Sequence, residues 1–116
     1  MDPARIFLAC LLLMSAAPAR ANDFPTAGRV EFVFECMRDH AGGQFELLNK
    51  CSCVIDQLAQ KYKYDDFVEA QTLGKSVSIA GERGAALRDN EQAQKAARKY
   101  RDSVAAASRA CFLPDK

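Results

Sequence analysis

Tryptophan is missing from this chain, and histidine occurs once, as His40. With one imidazole there is no metalloprotease spacing, and no nucleophile-elbow motif accompanies the serines, so Ser52, His40 and the aspartates form no recognisable hydrolytic set. Charge of one sign is not in excess either. The formal net charge is +1, and it falls to about zero once the first 21 residues are set aside. No basic stripe stands out, which argues against a nucleic-acid partner, because phosphates demand an excess of cations. Beyond the amino-terminal stretch no second apolar run occurs, so no stable membrane insertion is expected. Strand-like alternation, internal repeats and low-complexity tracts are also lacking.

Export and cysteine are what the chain does have. Arg5 supplies a thin positive start, Ile6–Met14 an apolar run too short to span a bilayer, and Ala19-Arg20-Ala21 a small-x-small cleavage site. Residues 1–21 are therefore expected to be a signal peptide cleaved after Ala21. Residues 22–116 form a single expected domain in the bacterial periplasm. Cys10 in the sequence Phe7-Leu8-Ala9-Cys10 lacks the leucine usual in a lipoprotein anchor. Four cysteines then remain: Cys36, Cys51, Cys53 and Cys111. An even number of thiols in an oxidising compartment reads as a disulfide framework.

The apolar spacing is helical throughout. Val30, Val33, Cys36 and Met37 recur at helical intervals, with Phe32 and Phe34 flanking, and predict a first helix over about 27–39. Pro25 suits its start and Thr26 its cap. Gly42-Gly43 breaks the chain before a second helix from Gln44 to Tyr62. Its apolar stripe is Leu47, Leu48, Cys51, Val54, Ile55, Leu58 and Tyr62. Asp65 and Asp66 suit the cap of a third helix, with Asp66 and Glu69 spaced as a capping box. Phe67, Val68, Ala70 and Leu73 form its inner face, and it frays by Ala80. Gly81-Glu82-Arg83-Gly84 reads as a loop, and Asp89 or Asn90 caps a long last helix. Ala93, Ala97, Tyr100, Val104, Ala107 and Cys111 form a seam of mostly small residues along that helix. The fold class expected is all-α: a compact four-helix domain stapled by two disulfides.

Helical geometry narrows the pairing. Residues two apart on a helix are turned about 200° from each other, so a Cys51–Cys53 bond would need an unwound helix start and different partners are the easier solution. Cys36 lies just before the glycine turn, level with the start of the second helix in an antiparallel hairpin, and Cys51 lies on the apolar stripe. Cys36–Cys51 with Cys53–Cys111 is preferred, while Cys36–Cys53 with Cys51–Cys111 remains open. Two other uses of the thiols compete with stapling. Cys36, Met37, His40, Cys51 and Cys53 together carry the soft ligands that suit Cu(I). Cys51 and Cys53 also resemble an oxidising Cys-x-Cys pair.

The segment Gly81–Asp89 sets charges of both signs between glycines. Glu82, Arg83 and Arg88 are candidate partner-binding residues of that loop, since loops on rigid scaffolds carry recognition and arginine is favoured at interfaces. Tyr62, Tyr64 and Phe67 cluster at the corner between the second and third helices, where core packing accounts for them.

The run Lys50-Cys51-Ser52-Cys53-Val54-Ile55-Asp56, followed by Lys61-Tyr62-Lys63-Tyr64-Asp65-Asp66-Phe67, resembles an uncharacterised family of small exported four-cysteine helical proteins of proteobacteria. Phe32-Val33-Phe34-Glu35-Cys36-Met37, the Gly42-Gly43 turn and Gly81-Glu82-Arg83-Gly84 extend the resemblance over most of residues 24–112. Some members are associated with quinoprotein alcohol-oxidation systems. The resemblance implies no catalytic residues. The expected function is thus a soluble, non-enzymatic binding or accessory factor with no cofactor and no resident metal, whose partner is another periplasmic protein. A thiol–disulfide or copper-handling protein and a periplasmic immunity-type protein are the alternatives.

Overall fold

Helical spacing of apolar residues becomes helix nearly everywhere it was expected. A computed structural model describes residues 22–114, apart from the side chain of Arg83. The expected signal peptide, residues 1–21, therefore lies outside the described residues. Within them run α1 (Thr26–Asp39), α2 (Gln44–Lys61), α3 (Tyr64–Ser76), α4 (Glu82–Arg88) and α5 (Glu91–Ala110). No strand occurs among the described residues.

Helix α2 lies at the centre, packed against α1 on one side and α5 on the other. Its buried residues Leu47, Cys51, Val54, Ile55, Leu58 and Ala59 recur every three or four positions, so they share one face. Cys51 and Leu58 are fully sealed from solvent. The turn from α1 works because Gly42 holds φ at 151°, a conformation closed to residues with a Cβ. Both disulfides leave α2. Cys36–Cys51 ties it to α1 across a Cα separation of 5.9 Å, and Cys53–Cys111 ties it to the end of α5 across 5.8 Å. The preferred pairing is the one formed.

Phe67 is the aromatic hub. Its buried ring lies 5.1 Å from that of Phe24, 6.1 Å from Phe32 and 6.1 Å from Tyr100, centroid to centroid, at tilted or edge-on angles. Such pairs add to the gain from burial alone. Tyr62 and Tyr64 complete the cluster, so the aromatic corner is core. Gly28 lets α1 approach it. A Cβ there would sit 2.8 Å from the Tyr64 ring, closer than carbon atoms tolerate.

Four expectations about helix ends and links are corrected. Thr26 does not cap α1. It is the first helical residue after Pro25, and no side chain caps that end. The Asp66–Glu69 capping box does not form, because α3 starts earlier, after Lys63, and places Asp65 and Asp66 in its first turn. There their charge favours the positive end of the helix dipole. The α3 helix also stops at Ser76, short of Ala80. Finally, the segment read as a loop contains a fifth, seven-residue helix, α4. Gly84, taken as a loop signal, is required by packing: a Cβ on it would fall 1.8 Å from the Ile79 carbonyl oxygen. The expected cap of α5 is confirmed, with the Asn90 side chain accepting from the Ala93 amide at 3.1 Å. Along α5, Ala93, Ala97 and Ala107 are buried. These small residues permit the close approach of α5 to α2 and α3.

Candidate functional site

Three residues that the apolar spacing places on inner faces lie outside the core: Val68 on α3, and Val30 and Leu48 on the α1–α2 hairpin. Val30 is 46% exposed and Leu48 42%. Both line a groove of about 290 Å³ between α1 and α2, toward opposite ends of it, since Arg29 pairs with Asp56 and Cys36 with Cys51 across the hairpin. Val33, Met37 and Ile55 line its floor, and Phe34 stands at its edge with 69% of its surface open. Phe45, 81% exposed, precedes Leu48 by one turn on the same face of α2. Scattered apolar residues on a surface need no explanation, but a contiguous patch on one face does. Each large side chain moved fully out of water by a covering partner would contribute about 1.5–3 kcal/mol.

The groove is built on fixed supports. The Cys36–Cys51 bond joins its two walls. At one end Arg29 of α1 forms an ion pair with Asp56 of α2. Arg29 also donates to the Asn22 side chain and lies 5.7 Å from the centre of the Phe24 ring. On α2, Lys50 pairs with Glu46 one turn earlier. This hydrogen bond, with the ammonium charge, holds the Glu46 carboxyl below the usual range. Arg29 and Asp56 thus leave that end of the groove polar but neutral, while Glu46 and Lys50 lie about 160–200° around α2 from Leu48, away from the groove.

A second recess, of about 240 Å³, carries several charged side chains. Glu35, His40, Lys75, Tyr100 and Arg101 line it, with Phe32 behind them. Lys75 donates to both carboxylate oxygens of Glu35 at 2.9 Å. Burial pushes the Tyr100 hydroxyl up to about 12; the charges of Glu35 and Tyr62 act in the same direction, and a hydrogen bond with Gln71 offsets part of the rise. Tyr100 is therefore neutral across the physiological range and is no general base there. The ring Nδ1 of His40 lies 2.8 Å from the Cys36 carbonyl oxygen, so it donates to the end of α1.

The chemistry considered for these residues is not assembled. Cys36 and Cys51 are bonded to each other, Met37 lines the apolar groove, and His40 lines the second recess. The soft-ligand set is therefore divided between two surfaces. Ser52 and His40 are separated in the same way. Cys51 and Cys53 bond to different helices, so they do not form a Cys-x-Cys redox pair. Of the residues expected to bind a partner between Gly81 and Asp89, Glu82 opens α4. Arg88 turns back onto the backbone, donating to the carbonyl oxygens of Ile79 and Gly81. It holds a bend.

Balanced net charge hides one local imbalance. Lys61, Lys95, Arg98 and Lys99 line a shallow surface between α2 and α5, with Asp102 among them. The groove residues were legible individually in the sequence. Their exposure was not, because helical spacing cannot tell a face that meets another helix from one that meets water.

The fold and site define a disulfide-stapled, all-α protein that presents an apolar groove between its first two helices. Comparison with protein families, curated proteins and solved structures returns no match. No helix among the described residues is long and apolar enough to cross a membrane.

Proposed function

We propose that this is a small periplasmic binding or accessory protein, without catalytic activity, that docks another exported protein against its α1–α2 face. One observation carries the reading: Val30, Phe34, Phe45 and Leu48 are exposed together on a hairpin that a disulfide holds in shape. A preformed apolar groove with a polar rim suits an amphipathic helix of a partner. Because the walls are already fixed, little ordering entropy opposes binding. The signal-like amino terminus and the paired thiols support an oxidising, extracytoplasmic site of action. The resemblance to proteins linked with quinoprotein alcohol oxidation points to that machinery as a source of partners.

The test is site-specific photo-crosslinking in the living cell. A crosslinking residue at Phe34 should yield a discrete adduct that the same residue at Lys95, on the opposite surface, does not. Adducts of equal pattern at both positions, or none at Phe34, would overturn the reading.

A further inference from the structure

We propose that the α1–α2 groove also closes against the same groove of a second copy of this chain, by antiparallel packing of the two α1 helices about a twofold axis. The inference rests on the reading of this face as a docking surface and names one occupant for it.

The order of side chains along α1 carries the argument. Glu31 and Arg38 are both exposed and seven residues apart, so they lie two turns apart on one line of the helix. Phe34 lies between them, beside that line. Val30, Glu31, Phe34 and Arg38 all border one open recess on this helix. An antiparallel pairing centred on Phe34 and Glu35 sets Glu31 of one copy against Arg38 of the other, and the twofold repeats the contact. A face that contacts its own copy must be self-complementary in this way. A parallel arrangement would instead place like charges together. Ala27, on the same face, leaves room at the helix crossing. Each Phe34 ring then enters the groove of the opposite copy, over Val33 and Met37.

Other exposed charges around the groove favour the same occupant. Arg29 is neutralised by Asp56, and Arg38 meets its chain neighbour Asp39 at 3.7 Å, a long, solvent-exposed contact that a second copy's Glu31 can replace. A strongly acidic or basic partner would meet no opposing field on this rim, whereas a second copy finds its charges matched. Self-pairing and capture of another protein use one groove and exclude each other, so the paired form shields the apolar face until a partner displaces it.

Sedimentation velocity on the exported, oxidised protein over a wide concentration range tests the proposal. A monomer–dimer equilibrium is expected. Glu31→Arg and Arg38→Glu should each weaken it by about tenfold, since each creates two like-charge contacts, and the double exchange should restore it to near the starting value. Circular dichroism melts of all three variants confirm that each is folded. A protein that stays monomeric at every concentration overturns the pairing, and so does a double exchange that fails to restore it. If Phe34 crosslinks to a different protein while the chain sediments only as a monomer, self-pairing fails and the docking surface stands. If Phe34 crosslinks to nothing, the docking surface itself fails.

Discussion

Asp23 caps helix α3 from far along the chain: both of its carboxylate oxygens lie 3.1 Å from the Tyr64 amide nitrogen. The first helical amides of α3 have no intrahelical acceptor, and no residue next to the helix supplies one. The arm before α1 does so instead, while Phe24, the next residue, packs its ring on Phe67. Replacing Asp23 by alanine should therefore destabilise the protein by about 1 kcal/mol, the usual cost of losing a cap. Asp23→Asn keeps an acceptor and should cost less. Urea denaturation of the two variants measures the difference, and equal midpoints would contradict the role.

The two disulfides should differ in worth. Cys36–Cys51 spans 15 residues and Cys53–Cys111 spans 58. Chain-entropy arguments give about 3 kcal/mol for the shorter loop and about 4 kcal/mol for the longer. Replacing each pair by alanines should lower stability in that order, read as the midpoint of chemical denaturation. Alkylation of the native, oxidised protein should modify none of the four cysteines.

Alkaline pH should expose the burial of Tyr100. Its hydroxyl is held up to about 12 in the folded protein against 10.0 for an unperturbed tyrosine. The unfolded chain therefore loses this proton first. The stabilisation is fully present below pH 10 and is lost as the pH rises toward about 12. Tyr100→Phe has no proton to lose and should show a shallower fall in stability across that window. Thermal melts at stepped pH compare the two slopes.

The end of α5 carries a residue poorly suited to its conformation. Phe112 has φ 57°, in the left-handed region, and its ring is 82% exposed. The geometry is that of a Schellman ending: Leu113 N–H donates to the Ser108 carbonyl at 2.9 Å and Phe112 N–H to that of Arg109 at 3.3 Å. Glycine normally fills this position because it has no Cβ to clash. Phe112→Gly should raise stability by about 1 kcal/mol. A lower midpoint would show that the exposed ring has a contact this structure lacks.

The helices were largely legible because their information is local. The α2 stripe and the small-residue seam of α5 repeat every three or four positions, and Asn90 sits directly before the helix it caps. The misses depend on where the chain turns back on itself. Asp23 reaches Tyr64 only because the chain folds back, so spacing favoured Asp65 and Asp66 as caps instead. Gly84 reads as a breaker by its identity alone, yet it lies in α4, where the turn that brings the Ile79 carbonyl against it leaves room only for a residue without a Cβ. Glu82 and Arg88 read as part of a charged loop, whereas in the fold they begin and end α4, and Arg88 also donates to backbone carbonyls.

Composition and periodicity alone determined an all-helical chain whose thiols pair and whose second helix receives both bridges, since the angle between successive helical residues sends Cys51 and Cys53 in different directions. Only the packing decided which apolar residues are left in water. Val30 and Leu48 carry the same periodic signature as Val33 and Ile55 and differ only in facing the open side of the hairpin, where no third helix among the described residues covers them.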